Sequence, residues 1–187
     1  MNGQPTIRTR RLTLRPFGID DAKRVQQLAG DRAIASTTLN IPHPYEDGMA
    51  EDWIETHTEL FEAGTQVVFA IELSIEASLI GAISLMHIDH MLEHAELGYW
   101  IGKPYWNQGY CTEAGHALFT YAFEKLGINR IFGYHFIRNP ASGRVMSKLR
   151  MQYKGCLWRH VEKWEEYEDL AVYEIVRSDF FQSESSA

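Results

Sequence analysis

Two neighbouring stretches decide the fold: Glu96-Leu97-Gly98-Tyr99-Trp100-Ile101 and Pro104-Tyr105-Trp106-Asn107-Gln108-Gly109-Tyr110-Cys111-Thr112-Glu113-Ala114. The pattern predicts a strand, then a short turn that holds Gly109, then the start of a helix. The backbone N–H groups of Gln108 to Thr112 would point outward at the positive end of the helix dipole, where anions bind. A phosphate approaches the backbone closely only where no side chain intervenes, and Gly109 provides such a place. The sequence therefore predicts an anion cradle, with an ordinary glycine-containing turn as the alternative.

Strands and helices alternate on both sides of this turn. Three strand-like runs with short polar connections predict an antiparallel meander at residues 66–73, 79–88 and 95–101. Upstream, the pattern predicts an edge strand at 7–15, a helix from Asp20 and Asp21 to Gly30, and a long amphipathic helix at 46–62. Downstream, it predicts a helix stopped by Gly127, a strand at 130–137, a short helix at 141–150, and two strands at 156–163 and 170–177. This order is typical of a mixed α/β protein.

The composition is that of a globular protein with one domain. The chain has 187 residues, of which 45% are apolar and 23% charged, so it can bury a sizeable core. We expect one domain over residues 1–187, with a core at 7–177 and a polar tail at 178–187. No apolar run approaches the roughly 18 residues that span a bilayer, and the first residues lack an apolar leader. We therefore expect a cytoplasmic protein with no membrane contact.

The net charge limits the kinds of binding partner, and the cysteine content limits disulfide and metal sites. The formal net charge is -7, which argues against nucleic acid as a partner and favours cationic partners such as amines. Cys111 and Cys156 lie far apart in the chain and are too few for a disulfide framework or a four-thiolate metal site. We expect both thiols to be reduced.

Four motifs in order carry a resemblance to a known family. They are the opening Thr9-Arg10-Arg11-Leu12-Thr13-Leu14-Arg15-Pro16, the run Gly98-Tyr99-Trp100, the run from Trp106 to Ala114, and Asn139-Pro140-Ala141-Ser142 followed by Val145, Lys148 and Leu149. Together they resemble the Gcn5-related N-acetyltransferase (GNAT) family, and within it the RimJ/RimL group of ribosomal-protein N-acetyltransferases. Asn107 and Cys111 stand where that group usually has glycine and alanine, Trp106 where the broader family has Gln or Arg, and Arg150-Met151 where Gly-Phe is usual.

The resemblance implies a GNAT fold, a mixed and mostly antiparallel sheet of about seven strands flanked by helices. It implies acetyl-CoA as the cofactor and transfer of its acetyl group to a primary amine, foremost the N-terminal α-amine of a protein, by direct attack in a ternary complex. A ribosomal-protein N-terminus is the acceptor typical of the group, and many relatives are dimers. The cofactor-binding residues implied are Trp100, Ile101, Gln108, Gly109, Tyr110, Cys111, Thr112, Asn139, Ser142 and Lys148.

Glu96 and Ser142 are the main candidates for catalysis, and Glu162 is an alternative base. Glu96 is a carboxylate on an otherwise apolar strand beside the predicted cradle, and such a group can accept a proton from an amine. In some relatives the acting carboxylate lies on the strand that corresponds to residues 157–163, where Glu162 is the nearest candidate and a surface ion pair the alternative. Ser142 could hydrogen-bond the departing sulfur, although Asn139 and Ser142 could also simply form a helix start.

Arg138, Arg144 and Lys148 could neutralise cofactor phosphates or form a solvated basic face.

A second motif points to other chemistry. His90-Met91-Leu92-Glu93-His94 fits the H-x-x-E-H pattern of zinc hydrolases. That chemistry needs both histidines on one face of a helix, whereas the surrounding pattern predicts a hairpin turn between two strands. We therefore expect no metal site here. Three other functions remain open: acetylation of a small amine (a polyamine, an antibiotic or an amino acid), acyl-CoA sensing without turnover, and metal-dependent hydrolysis.

Overall fold

A computed structural model describes residues 3–182 of the chain. The strands are β1 (Ile7–Arg8), β2 (Leu12–Arg15), β3 (Val67–Leu73), β4 (Ser78–Asp89), β5 (His94–Ile101), β6 (Arg130–Phe136), β7 (Gln152–Lys163) and β8 (Glu166–Val176). The helices are α1 (Ala22–Ala29), α2 (Arg32–Ala35), α3 (Met49–Glu62), α4 (Tyr110–Lys125), α5 (Pro140–Lys148) and α6 (Arg177–Gln182). Two single 3-10 turns, Ile19–Asp21 and Lys103–Tyr105, precede α1 and α4.

Within the described residues the strands form one eight-stranded sheet in the order β1-β2-β3-β4-β5-β6-β8-β7. Neighbours are antiparallel except β5 and β6, which run parallel. The predicted meander of three strands is confirmed as β3, β4 and β5. The connection between β5 and β6 contains α4, because parallel neighbours need a crossover and a helix supplies it. This mixed, mostly antiparallel sheet flanked by helices confirms the predicted fold class.

Helices cover both faces of the sheet. On one face, α4 buries Ala114, Leu118 and Ala122, which recur every four residues and so lie on one stripe. On the other face, α1 and α3 pack through small residues such as Val25, Ala29 and Ala50. Side chains of a strand alternate between these two faces, so even and odd positions of β5 serve different sides of the molecule.

Three elements differ from the sequence predictions. The strand predicted at 7–15 is a hairpin of β1 and β2, closed by a hydrogen bond from Thr9 N to Leu12 O, so the sheet has eight strands rather than about seven. The tail predicted at 178–187 is wrong for its first residues: α6 follows β8 directly, and Phe180 is buried against Phe119 and Phe123. Residues 183–187 lie outside the described part. α2 was not predicted, because four residues are too few to show a helical period.

Among the helices of residues 3–182, none combines the length and the apolar composition of a membrane span.

Candidate active site

A large cavity lies at a gap in the sheet. β5 and β6 pair only from His94 to Leu97 and from Arg130 to Gly133, and they part beyond that point. Each keeps its other neighbour, since β5 continues along β4 and β6 along β8. A cavity of about 1040 Å³ occupies the gap and reaches both faces of the sheet. We call the side next to α4 and α5 the cofactor half, and the side next to α1 and α3 the acceptor half.

The cofactor half contains the predicted cradle. Gly109 lies at the left-handed φ of 78° immediately before α4, and Asn107 has a φ of 61°. The first helical hydrogen bond runs from Glu113 N to Gly109 O at 3.0 Å, so the N–H groups of Tyr110, Cys111 and Thr112 precede the helical ladder and are free for an anion. The geometry predicted for this turn is therefore present, and these three residues line the cavity together with Gly109.

Two side chains of the turn bind its own backbone. Trp106 Nε1 donates to Ile101 O at 2.6 Å, which ties the turn to the end of β5. Gln108 Nε2 donates to Pro104 O at 3.2 Å. Gln108 was predicted to bind the cofactor, but it is exposed and does not line the cavity, because its side chain is engaged by Pro104. The other predicted cofactor residues, Trp100, Ile101, Asn139, Ser142 and Lys148, all line it.

A clamp that the sequence did not reveal holds the start of α4. Glu113 Oε1 accepts hydrogen bonds from Thr9 Oγ1 at 2.7 Å and from Arg11 N at 2.8 Å, and Glu113 Oε2 accepts one from Arg11 Nε at 2.7 Å. Burial raises the pKa of Glu113, but these hydrogen bonds outweigh it and hold that pKa below its usual value. Arg11 also donates to Gln108 O at 3.0 Å and lies over the Tyr110 ring. The β1–β2 hairpin thus fixes the cradle from outside.

Ser142 is held by a tyrosine. Tyr99 OH and Ser142 Oγ are 2.6 Å apart, and Tyr99 OH also lies 3.1 Å from Ser142 O. Burial, with the nearby Cys111 thiol, raises the pKa of Tyr99 far above its usual value, so the phenol stays protonated. Asn139 caps α5, since its Oδ1 accepts from Ser142 N at 3.4 Å. The helix-start interpretation of Asn139 therefore holds, and Ser142 Oγ remains directed to Tyr99.

Glu96 lies on the opposite face of the sheet from Tyr99, as the alternation along β5 requires. It lines the acceptor half, and its Oε2 is 3.0 Å from His87 Nδ1. Tyr134 lies across the gap on the same face; burial and the Glu96 charge raise the pKa of its phenol. Glu162, the alternative base, is exposed, pairs with Tyr167 in the β7–β8 hairpin and does not line the cavity.

The rest of the acceptor half is built from distant segments. Asp52, Trp53 and Met49 come from α3, and residues 37–42 come from the connection between α2 and α3. Asp52 shows no signal in the sequence, because an acidic residue on an exposed helix face is ordinary.

The basic residues divide between two tasks. Arg144 and Lys148 of α5 line the cavity beside the cradle. Arg138, also a candidate for cofactor phosphates, is wrong in that role: its guanidinium donates to Glu168 and to Ser36 O, away from the cradle.

The H-x-x-E-H motif forms a turn. β4 ends at Asp89 and β5 begins at His94, and Asp89 Oδ1 accepts from Met91 N and Leu92 N. The predicted hairpin is confirmed, so the two histidines do not share a helix face as zinc hydrolysis requires. Within residues 3–182, no group of three or more His, Cys, Asp and Glu side chains is placed to hold a metal.

Comparison with known proteins identifies the family. Residues 11–152 match the family model described as an acetyltransferase (GNAT) domain. A Bacillus licheniformis protein named the uncharacterized N-acetyltransferase p20 is 28% identical over 176 residues, covering 94% of this chain and 98% of that protein. The ribosomal-protein-serine acetyltransferase of Escherichia coli is 29% identical over 98 residues, covering 52% of this chain and 55% of that protein.

The fold also matches solved structures. RimL, a ribosomal L7/L12 alpha-N-protein acetyltransferase in complex with coenzyme A, superposes with a TM-score of 0.82 at 18% identity, covering 92% of this chain and 98% of that chain. Such a distant likeness shows the fold, and the family match over most of the chain adds the chemistry. The chain belongs to the GNAT acetyltransferase family and is an N-acetyltransferase that uses acetyl-CoA.

Proposed function

We propose that the chain acetylates the N-terminal α-amine of a protein, of the ribosomal-protein type, by direct attack in a ternary complex. One observation carries this proposal: a single cavity passes through the gap between β5 and β6, with Glu96 on one face and Ser142 on the other. An amine entering the acceptor half therefore reaches a cofactor on the opposite side without leaving the cavity.

The residues of the cofactor half fit acetyl-CoA. A diphosphate suits the free N–H groups of Tyr110, Cys111 and Thr112, where Gly109 carries no side chain. The amide-rich pantetheine arm of acetyl-CoA suits the edge of β5 beyond Leu97, which is not paired with β6. Lys148 and Arg144 are cations beside the cradle. When bound, acetyl-CoA supplies an activated thioester carbonyl for an amine to attack.

The chain's own residues would accept one proton and assist the leaving group. The nitrogen loses one proton to Glu96 and a second to water, and the C–S bond breaks as the amide forms, so that the sulfur leaves as a thiolate. Glu96, oriented by its hydrogen bond to His87, takes the proton from the incoming ammonium directly or through a water. Ser142 donates a hydrogen bond to the departing sulfur, and Tyr99 orients the Ser142 hydroxyl. Backbone N–H groups near Tyr99 to Ile101 stabilise the negative charge that develops on the carbonyl oxygen.

An α-amine fits this machinery better than a lysine side chain. Its pKa is about 7.7–8.0, against about 10.4 for lysine, so a carboxylate can deprotonate it near neutral pH at a smaller cost. The ribosomal acceptor is supported by the names of the Escherichia coli relative and of RimL. We include a cytoplasmic location and a homodimer in the proposal.

A pair of matched peptides tests the acceptor. One has a free α-amine and acetylated lysines, and the other has an acetylated N-terminus and free lysines. With isotopically labelled acetyl-CoA, mass spectrometry should show label on the first peptide at a rate at least about tenfold higher. Equal rates, or label only on the second peptide, would contradict the proposal.

A small cationic amine is the second candidate. Asp52 and Glu96 both line the acceptor half and together could hold a molecule with two ammonium groups. A panel of polyamines and amino acids, read by thiol release, compares it with the peptides. A sensor without turnover would instead show thermal stabilisation by coenzyme A and no product with any amine.

A further inference from the structure

One connecting segment closes the acceptor half of the cavity. Residues 36–42, which we call the acceptor loop, follow α2, and residues 37–42 line the cavity. The loop leads into α3, which precedes β3 in the chain. It is therefore connected in sequence to the part of the sheet made of β1 to β5, on one side of the gap. The hydroxyls of Thr37 and Thr38 bind carbonyl oxygens of α2. Side chains from the part of the sheet after the gap hold carbonyl oxygens of the loop itself.

A buried lysine holds the middle of the acceptor loop. Lys163 Nζ donates to Leu39 O at 2.9 Å and to Ile41 O at 2.8 Å, and the residue is only 7% exposed. Burial, with the Arg138 charge, lowers the pKa of its ammonium. An ammonium group is costly to bury unless its protons are hydrogen-bonded, so the two carbonyl oxygens offset its desolvation.

Lys163 lies at the end of β7, beyond the gap from the loop's own part of the sheet. The start of the loop is held from the same side, since Arg138, which follows β6, donates to Ser36 O at 2.7 Å. The Arg138 side chain is 43% exposed and also paired with Glu168, so solvent weakens its hold. Lys163 is therefore the stronger of the two connections across the gap.

We propose that Lys163 is a positioning residue for the acceptor amine. By tying Leu39 O and Ile41 O to β7, its ammonium sets how closely the acceptor loop covers the acceptor half and thereby how tightly an amine is held. The inference rests on the proposed function in one respect, that the amine enters beneath this loop. It requires no contact between Lys163 and either substrate.

Lys163→Met removes the donors and keeps an unbranched side chain of similar length. We expect the KM for the acceptor peptide to rise about tenfold, as the loss of two hydrogen bonds to a charged group predicts, while kcat changes less than about threefold. The affinity for coenzyme A should stay within about twofold, because the cradle lies on the other face. Hydrogen exchange of the amides in residues 37–41 should accelerate, and that of α4 should not.

Two further variants make the result specific. Lys154→Met changes a lysine of the same strand whose Nζ lies 3.5 Å from Glu174 and whose side chain is 44% exposed; it should leave all of these measurements unchanged. Lys163→Arg keeps donors for the two carbonyls and should bring the KM to within about threefold of the wild type. If Lys163→Met does not fold, Lys163→Arg decides: a wild-type KM supports the proposal and a tenfold rise overturns it.

The remaining outcomes are also decisive. A KM for Lys163→Met within about twofold of the wild type overturns the proposal, and so does a parallel loss of coenzyme A affinity, which would mark Lys163 as general support of the fold. Hydrogen exchange needs no turnover. If the wild type acetylates no amine, the proposed function fails, while faster exchange confined to the acceptor loop still supports the connection made by Lys163 and unchanged exchange overturns it.

Discussion

The two halves of the cavity differ in whether backbone or side-chain groups line them. The cofactor half consists mainly of backbone: the free N–H groups at the start of α4 and the free edge of β5, fixed by the clamp of Glu113. The acceptor half consists of side chains from α3, the acceptor loop and β3 to β6. Backbone geometry suits one ligand that never changes, whereas side chains can be exchanged without disturbing the sheet. We therefore expect cofactor binding to depend on one half, and the binding and deprotonation of the amine on the other.

The largest expected effect is on the proposed base. Glu96→Gln keeps the size of the side chain but cannot accept a proton, so kcat should fall about 100- to 1000-fold. The affinity for coenzyme A should stay within about twofold, since Glu96 lies in the acceptor half. Thiol release and calorimetry measure these two quantities.

Glu162→Gln is the matched control for this variant, because Glu162 is an exposed glutamate outside the cavity. It should behave as the wild type. If Glu162→Gln lowers kcat and Glu96→Gln does not, the assignment of the base to β5 is wrong.

Acid should destabilise the fold through one buried histidine. His57 of α3 is 6% exposed and packs on Trp53 and Phe17, and burial lowers its pKa to about 4. The unfolded chain binds this proton at about pH 6.5 and the folded chain only near pH 4. Stability is therefore lost as the pH falls through that window, by about 2 kcal/mol at pH 5 relative to pH 7.

Urea unfolding at pH 7 and pH 5 measures this loss. His57→Leu should remove most of the difference between the two pH values, whereas His160→Leu, at an exposed position, should retain it. An equal loss of stability in the wild type and in His57→Leu would show that another group is responsible.

Ser142→Ala should lower kcat about tenfold, less than loss of the base, because a thiolate leaves with little assistance. Tyr99→Phe should have a smaller effect, and adding it to Ser142→Ala should cost nothing more, since Tyr99 acts through Ser142. Single-turnover measurements of acetyl transfer test this non-additivity. Full additivity of the two losses would contradict a shared role.

The last prediction concerns the cradle, where cofactor binding rather than turnover should change. Gly109→Ala places a Cβ at a φ of 78°, which strains the turn by about 1–2 kcal/mol and should weaken coenzyme A binding about tenfold. Gly127→Ala introduces the same strain at a φ of 69° after α4, with nothing within 4 Å of the new Cβ. It should lower stability to a similar degree and leave coenzyme A affinity unchanged. Equal loss of affinity in both variants would mean that the turn acts only through overall stability.

The features that could be predicted from the sequence are the local ones, and the contacts between distant residues could not be predicted. The strand, glycine turn and helix around Gly109 follow from local periodicity and backbone preference, which act over a few residues. The clamp between Arg11 and Glu113 joins residues 102 positions apart, and Lys163 reaches Leu39 from 124 positions away. No local pattern marks such pairs, because each partner alone looks like an ordinary surface charge.

Register accounts for the remaining differences. Glu162 was the alternative base because it is the carboxylate nearest to the position that some relatives use. A shift of one residue along a strand, however, moves a side chain to the other face of the sheet. The contact between the Tyr99 hydroxyl and Ser142 depends on where α5 packs, which no local pattern predicts. Domain extent over residues 1–187 stays a prediction.

Steady-state kinetics with both substrates varied tests the central claim most directly. If the amine and acetyl-CoA meet in one cavity through the gap, double-reciprocal plots must intersect, and the intact mass of the enzyme must not rise after incubation with acetyl-CoA alone. Burial raises the pKa of the Cys111 thiol, so it should not act as a nucleophile. Parallel lines, with an acetyl group found on the enzyme, would contradict the account.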